Sequence, residues 1–157
     1  MKIVLLQTGK TSEKYLNEGI SSFAGRLQKY TAFEILTIPD IKNTRNMPVK
    51  EQKEREGERI IQQFKSDDYI VVLDEKGTEF STVEFADKLE KIFMLYKKRM
   101  VFVIGGPYGL SGDVVGKADL RLSLSKMTFS HQVVRLLFAE QLYRAFTVIK
   151  GEPYHHE

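Results

Sequence analysis

Cysteine is absent from all 157 residues. That removes a disulfide framework, a thiolate metal site and a cysteine nucleophile at once, and it fits a reducing compartment. Long apolar runs are also missing. Met1 through Gln7 give way at once to Thr8-Gly9-Lys10, too short for a signal-peptide core or a membrane span, so the chain reads as cytoplasmic and independent of membranes. Neither G-x-G-x-x-G nor G-x-x-x-x-G-K-[ST] occurs, and NAD- and ATP-dependent chemistry lose their usual handles. No His, Asp and Glu stand at metal-ligand spacing and no G-x-S-x-G elbow appears, so no metal is expected. Ser123-Leu124-Ser125-Lys126 formally matches S-x-x-K, but its partners for β-lactam chemistry are missing. Internal repeats, low-complexity tracts and interdomain linkers are lacking too.

What is present is the composition of a folding chain, with 42% hydrophobic and 29% charged residues. The length suits one domain, residues 1–157, which would bury roughly 70% of its unfolded surface. Charge is uneven. Residues 1–95 carry 15 Lys/Arg against 16 Asp/Glu, whereas residues 96–157 carry 9 against 5 together with all three histidines. A basic C-terminal half is compatible with a polyanionic partner such as RNA, and equally with a solvated basic face.

Apolar runs alternate with helical periodicities. Residues 2–7, Phe33 to Ile38, Tyr69 to Leu73 and Met100 to Ile104 read as strands, the latter two continuous enough to be covered on both faces. Leu120, Leu122 and Leu124 alternate with polar residues as a fifth strand. Leu16, Ile20, Phe23, Leu27 and Tyr30 fall on one helical face, residues 49–65 form a charged surface helix, and Ser81-Thr82-Val83-Glu84 has capping-box spacing ahead of Phe85, Leu89, Ile92 and Tyr96. The last helix covers about 131–149 and is stopped by Gly151-Glu152-Pro153. Its stripe of Val134, Phe138, Leu142, Ala145 and Ile149 is widened by Val133, Leu136 and Leu137, which suggests burial by a second subunit. The polar residues are Arg135, Glu140, Arg144 and Thr147. The expected fold is α/β, a mostly parallel sheet with helices on both faces.

Ligands of such sheets bind beyond the carboxyl ends of the strands, and three exits stand out. Leu73 opens Asp74-Glu75-Lys76-Gly77. Ile104 opens Gly105-Gly106-Pro107-Tyr108-Gly109, where glycines would let backbone approach a ligand closely or simply make a tight turn. Leu124 opens Ser125-Lys126-Met127-Thr128-Phe129, whose mixed donors and apolar walls suit a nucleoside. Glu140 and Arg144, four apart, are either an ordinary helix-surface pair or part of a site. His131 reads as a capping or packing histidine, and the Pro153-Tyr154-His155 ending as a solvated tail or an aimed one.

Taken in order and spacing, these segments resemble the large-subunit ribosomal RNA pseudouridine N3-methyltransferases of the SPOUT superfamily. The segments are Leu73 to Gly77, Phe102 to Leu110, Leu122 to His131, Glu140-Gln141-Leu142-Tyr143-Arg144-Ala145-Phe146 and Gly151-Glu152-Pro153-Tyr154-His155. The likeness spans the whole chain. It implies a trefoil-knotted α/β fold, a homodimer, S-adenosylmethionine as methyl donor, and a pseudouridine of 23S ribosomal RNA, free or in the assembled ribosome, as acceptor. It also implies that Leu73, Gly105, Gly106, Leu124, Ser125, Lys126, Met127, Thr128, Phe129 and Ser130 hold the donor, largely through backbone. Glu140, Arg144, Tyr154 and His155 are then the candidates for catalysis: Arg144 to stabilise the acceptor anion, Glu140 to orient Arg144, His155 to accept the proton. Where the family usually has proline before the histidine, this chain has Ser130-His131, and serine can cap the helix in its place. A non-enzymatic RNA-binding or ribosome-associated factor is the rival reading; it would need the basic half but no donor pocket.

Overall fold

The strand Lys2–Thr8 (β1) buries every residue but its first. Its side chains alternate between two separate cores, as the period of two requires. In the computed structural model, which describes residues 1–156, Ile3 and Leu5 face one core and Val4 and Leu6 the other. β1 therefore lies inside a sheet covered on both sides. It pairs with Phe33–Ile38 (β2) and with Arg99–Ile104 (β4), while β4 also pairs with Asp68–Glu79 (β3), and β3 with Leu120–Ser123 (β5). All four pairings are parallel in the order β2-β1-β4-β3-β5, so all five carboxyl ends lie along one edge.

Helices Lys14–Leu27 (α1), Thr82–Phe93 (α3) and Val133–Ile149 (α5) cover one face. Leu27, Phe85, Leu89, Ile92, Phe138, Leu142 and Phe146 join Ile3, Leu5, Val71 and Phe102 there. The Phe138 ring lies 4.7 Å from that of Phe102. Val49–Ile61 (α2) and the short helix Gly112–Gly116 (α4) cover the other face with Ile60 and Val114. At the amino edge, Asp68 and Arg99 are register partners. They close a two-pronged ion pair, Nε to Oδ1 at 2.8 Å and Nη2 to Oδ2 at 2.7 Å. Asp68 is nearly fully buried, which makes slippage of β3 against β4 costly.

Several expectations are adjusted. Tyr30 lies past the end of α1, stacked 5.5 Å from Phe146. Tyr96 lies past α3 and points into solvent. The capping box at Ser81 and Glu84 forms, closing α3 at its start. α4, capped by Ser111 Oγ on Val114 N–H at 3.3 Å, was not foreseen. β3 does not stop at Leu73: residues 74–77 bulge, and Leu122 faces both Leu73 and Thr78. A side chain at Gly77 would meet the Arg121 carbonyl at 2.6 Å, so this return onto β5 needs glycine. Glu157, the last residue of the tail, lies outside the described residues. Among those described, no helix is long and apolar enough to cross a membrane.

Arg135 and Thr147, two of the polar residues of α5, are fully buried. Arg135 Nη2 donates to Thr8 O at 2.7 Å, and Nη1 to Gly9 O and Thr11 Oγ1, both at 2.9 Å. Gln132 adds bonds to Ser12 N at 2.8 Å and Lys10 O at 3.0 Å. The amino end of α5 is thus lashed to the loop after β1. Arg135→Met keeps the apolar stem but orphans the buried carbonyls of Thr8 and Gly9 and the half-buried hydroxyl of Thr11. It is expected to cost about 3 kcal/mol, a Tm lower by about 6–12 °C in calorimetry; an unchanged Tm would show that the lashing carries no stability.

Candidate active site: a cleft at three strand exits and a separate acid–base cluster

The bulge within β3 and the exits of β4 and β5 enclose a cleft of about 300 Å³, at the small end of the range for ligand pockets. Of the residues carried over as donor-binding, Leu73, Gly105, Gly106, Leu124, Ser125, Met127, Thr128 and Phe129 line it. Lys126 does not; its ammonium points outward, 3.9 Å from Glu79. Ser130 does not either; its hydroxyl accepts from the N–H of Val133, the first residue of α5, at 3.1 Å. Sequence reasoning passed over Asp74, Glu75, Ile104, Pro107, Tyr108, Leu122, His131 and Val134, which also line the cleft. All but Val134 lie within or beside the quoted segments, so the motif edges were the available signal.

The polar groups of the β5 exit shape the loop itself. Ser123 Oγ donates to Ser125 O at 2.8 Å, and Ser125 Oγ accepts from Met127 N–H at 3.0 Å. The glycines of the β4 exit also work differently from the close-approach reading. A side chain at Gly105 would meet the Gly109 backbone at 2.8 Å, and one at Gly106 the Glu56 carboxylate at 2.8 Å. Gly109, at φ 82°, donates to Gly106 O at 3.0 Å and closes the turn. The glycines thus let the loop fold on itself and onto α2.

The charges around the cleft fall into opposite classes. Burial works against the Asp74 carboxylate, but the Lys76 N–H at 3.0 Å and Arg121 at 2.6 Å outweigh it and hold the carboxyl below its usual range. His131 is lowered by burial and then by the neighbouring Arg135 charge, which favours its neutral form. Behind the loop, Glu56 is buried, and its carboxyl is raised because burial outweighs the single bond from Gln52 Nε2 at 3.2 Å. Among the described residues, no group of three His, Asp and Glu is placed to hold a metal ion.

Glu140, Arg144, Tyr154 and His155 are brought together, but none of them lines the cleft. Arg144 Nε donates to Glu140 Oε1 at 3.0 Å, Nη2 forms an ion pair with the same oxygen, and Nη1 lies 3.4 Å from His155 Nδ1. Tyr154 donates its hydroxyl to Glu140 Oε1 at 3.1 Å, and the Arg144 guanidinium lies 4.7 Å above its ring. Burial first, and then Glu140, raises the Tyr154 hydroxyl. The tail is pinned, contrary to the frayed alternative. Gly151, at φ 67°, ends α5; Glu152 N–H donates to Thr147 O at 2.9 Å; and Tyr30 donates to Glu152 Oε2 at 2.6 Å. Val134 at the cleft and Arg144 in the cluster are ten residues apart on α5, about 15 Å along the axis. Within the chain, cleft and cluster stand apart.

Comparison with known proteins covers the whole chain. The profile of a family described as "Predicted SPOUT methyltransferase" matches residues 1–155. The chain is 52% identical over 157 residues, all of both chains, to "Ribosomal RNA large subunit methyltransferase H" of Parabacteroides distasonis. It is 51% identical over 156 residues, 99% of each chain, to the protein of the same name from Christiangramia forsetii. A solved structure, a probable methylase family protein from Haemophilus influenzae, shares the fold at TM-score 0.52 and 17% identity, covering 99% of this chain and 70% of that one.

The Glu56 environment gives a signed pH effect. Its folded-state carboxyl is raised above the unfolded value, so the folded state holds the proton more tightly, and stability falls as pH rises from the ordinary carboxylate range through the raised one. Glu56→Gln keeps an acceptor for Gln52 and carries no charge. Its Tm should exceed that of the parent by about 2–4 °C at pH 8, with the gap closing toward pH 4. Equal Tm values at pH 8 would overturn the assignment of a destabilising buried charge.

Proposed function

The chain belongs to the SPOUT methyltransferase family, and on that footing we propose that it transfers a methyl group from S-adenosylmethionine to N3 of a pseudouridine in large-subunit ribosomal RNA. It does so as a cytoplasmic homodimer of the single domain 1–157. The observation that carries this reading is the full-length likeness to ribosomal RNA methyltransferases combined with a nucleoside-sized cleft at the strand exits. Family membership also brings a trefoil-knotted backbone, which we place in the loops that wall the cleft.

The residues present fit the donor. Leu73, Leu122, Leu124 and Val134 offer apolar walls for an adenine, the Gly105–Gly109 and Ser125–Phe129 backbones offer amide and carbonyl groups, and Asp74 and Glu75 place carboxylates near a cation. S-adenosylmethionine supplies an already activated methyl group. The protein's task is therefore to align the acceptor nitrogen, exclude water and help the imide proton leave. Arg144, fixed by Glu140, is suited to stabilise the N3 anion as it forms. Tyr154 stacks under that guanidinium and gives a base an aromatic edge, and His155 beside Arg144 is suited to take the proton. The cluster stands about 15 Å along α5 from its own cleft, so it acts at the cleft of a second subunit. Met127, 76% exposed, with Leu137, Phe129 and Tyr108, supplies uncovered apolar surface for that contact.

Mass spectrometry of 23S ribosomal RNA from a strain lacking the protein is expected to show one methyl group missing from one pseudouridine; unchanged RNA would overturn the reading. In vitro, Arg144→Ala should lower methyl transfer about 10²–10³-fold while donor affinity by calorimetry stays within about twofold. A parallel fall of both would move Arg144 into the donor pocket. Deletion of residues 153–157 is expected to leave a folded, donor-binding dimer without transferase activity. Light scattering that shows a monomeric parent protein, or a fully active truncated one, contradicts the shared site.

A further inference from the structure

Near the acid–base cluster lies a basic surface that the reaction does not use. Arg26, in the last turn of α1, is exposed, and its guanidinium lies 5.3 Å from the Phe23 ring centre and 5.5 Å from that of Tyr143. Tyr143 meets Tyr154 edge-on at 4.8 Å, and Arg26 is close enough to Tyr154 to act on its hydroxyl electrostatically. One turn further on, Lys29 Nζ lies 5.6 Å from the Tyr30 ring. Neither cation forms an ion pair among the described residues. The carboxylates nearby are engaged: Glu140 by Arg144, Gln141 and Tyr154, and Glu152 by Tyr30. Lys150, exposed at the end of α5, adds charge of the same sign.

A planar guanidinium laid on two rings is pre-oriented with its N–H edge free, the arrangement that favours phosphate. An RNA strand that presents a base to Arg144 and Tyr154 must carry its neighbouring phosphates past these side chains. We propose that Arg26 and Lys29 bind phosphates of the substrate RNA flanking the target nucleotide, anchoring the strand beside the acid–base cluster. This inference rests on the RNA methyltransferase reading above. Phosphate contacts act through counterion release, so each cation lost should lower the salt dependence of RNA binding by about one unit on a log–log plot.

The test uses the full-length protein, tritiated S-adenosylmethionine, and ribosomes or extracted ribosomal RNA from a strain lacking the protein. Arg26→Gln is expected to raise KM for RNA about tenfold, to change kcat less than about threefold, and to flatten the salt slope by about one. Arg26→Lys should restore the slope, which a purely packing role for the guanidinium would not do. Lys29→Gln, at a solvent-exposed position, should repeat the effect more weakly without a folding risk. An unchanged KM and slope in both Gln variants, or a raised KM with the parent slope, would overturn the proposal. If the parent protein binds S-adenosylmethionine but methylates neither substrate, the methyltransferase reading fails instead. The salt slopes of equilibrium RNA binding by the same variants then still decide whether the patch binds phosphate.

Discussion

One buried cation sets the positions on which the rest of the molecule depends. Arg135 is fully enclosed, and its three hydrogen-bonding partners are neutral: the carbonyls of Thr8 and Gly9 and the hydroxyl of Thr11. A guanidinium can be buried this way because its delocalised charge is weakly hydrated and two carbonyls and a hydroxyl take up both terminal nitrogens, although Nε has no partner and burial still presses against the charge. The bonds join residues more than 120 positions apart, the end of the first strand and the start of the last helix. Wherever α5 begins, the segment 124–131 must lead to it, and this segment forms one wall of the cleft. Fixing the end of β1 therefore fixes the cleft.

The same helix carries the acid–base cluster at its far end, and the distance between the two is a consequence of helix geometry. Neighbouring groups hold that cluster rigid. Tyr30, just past α1, bonds to Glu152; the Tyr143 ring packs against those of Phe23, Tyr30 and Tyr154, with Phe146 stacked on Tyr30; and Gly151 turns the chain back over Arg144. Such a tail has lost its freedom before any RNA arrives, which lowers the ordering cost of binding.

The loop after β4 shows a different kind of constraint. Gly106 stands against Glu56, and Gly57 against Ser111, where an added side chain would come within 2.8 Å and 2.3 Å. α2 thus supports the cleft from behind at the cost of a buried carboxyl whose charge is disfavoured. Function gains a loop whose backbone is held in place, and stability loses a little at neutral pH.

Much of the fold was legible in the sequence because it depends on local pattern. Continuous apolar runs marked strands covered on both faces, three- and four-residue spacing marked α1, α3 and α5, and Ser81 with Glu84 marked the start of a helix. The motif segments identified the family and held most of the residues that line the cleft. Periodicity reports which side of a segment is hidden but not what lies against it. For that reason the sequence did not show that Arg135 is fully buried, that Lys126 points outward, or that Gly106 stands against Glu56. The distance between cleft and cluster was likewise invisible, because two motifs on one helix are adjacent in a list of residues but separated by the helical rise. Local chemistry determined the elements and their kinship; only packing between distant segments decided which charges are buried and which surfaces meet.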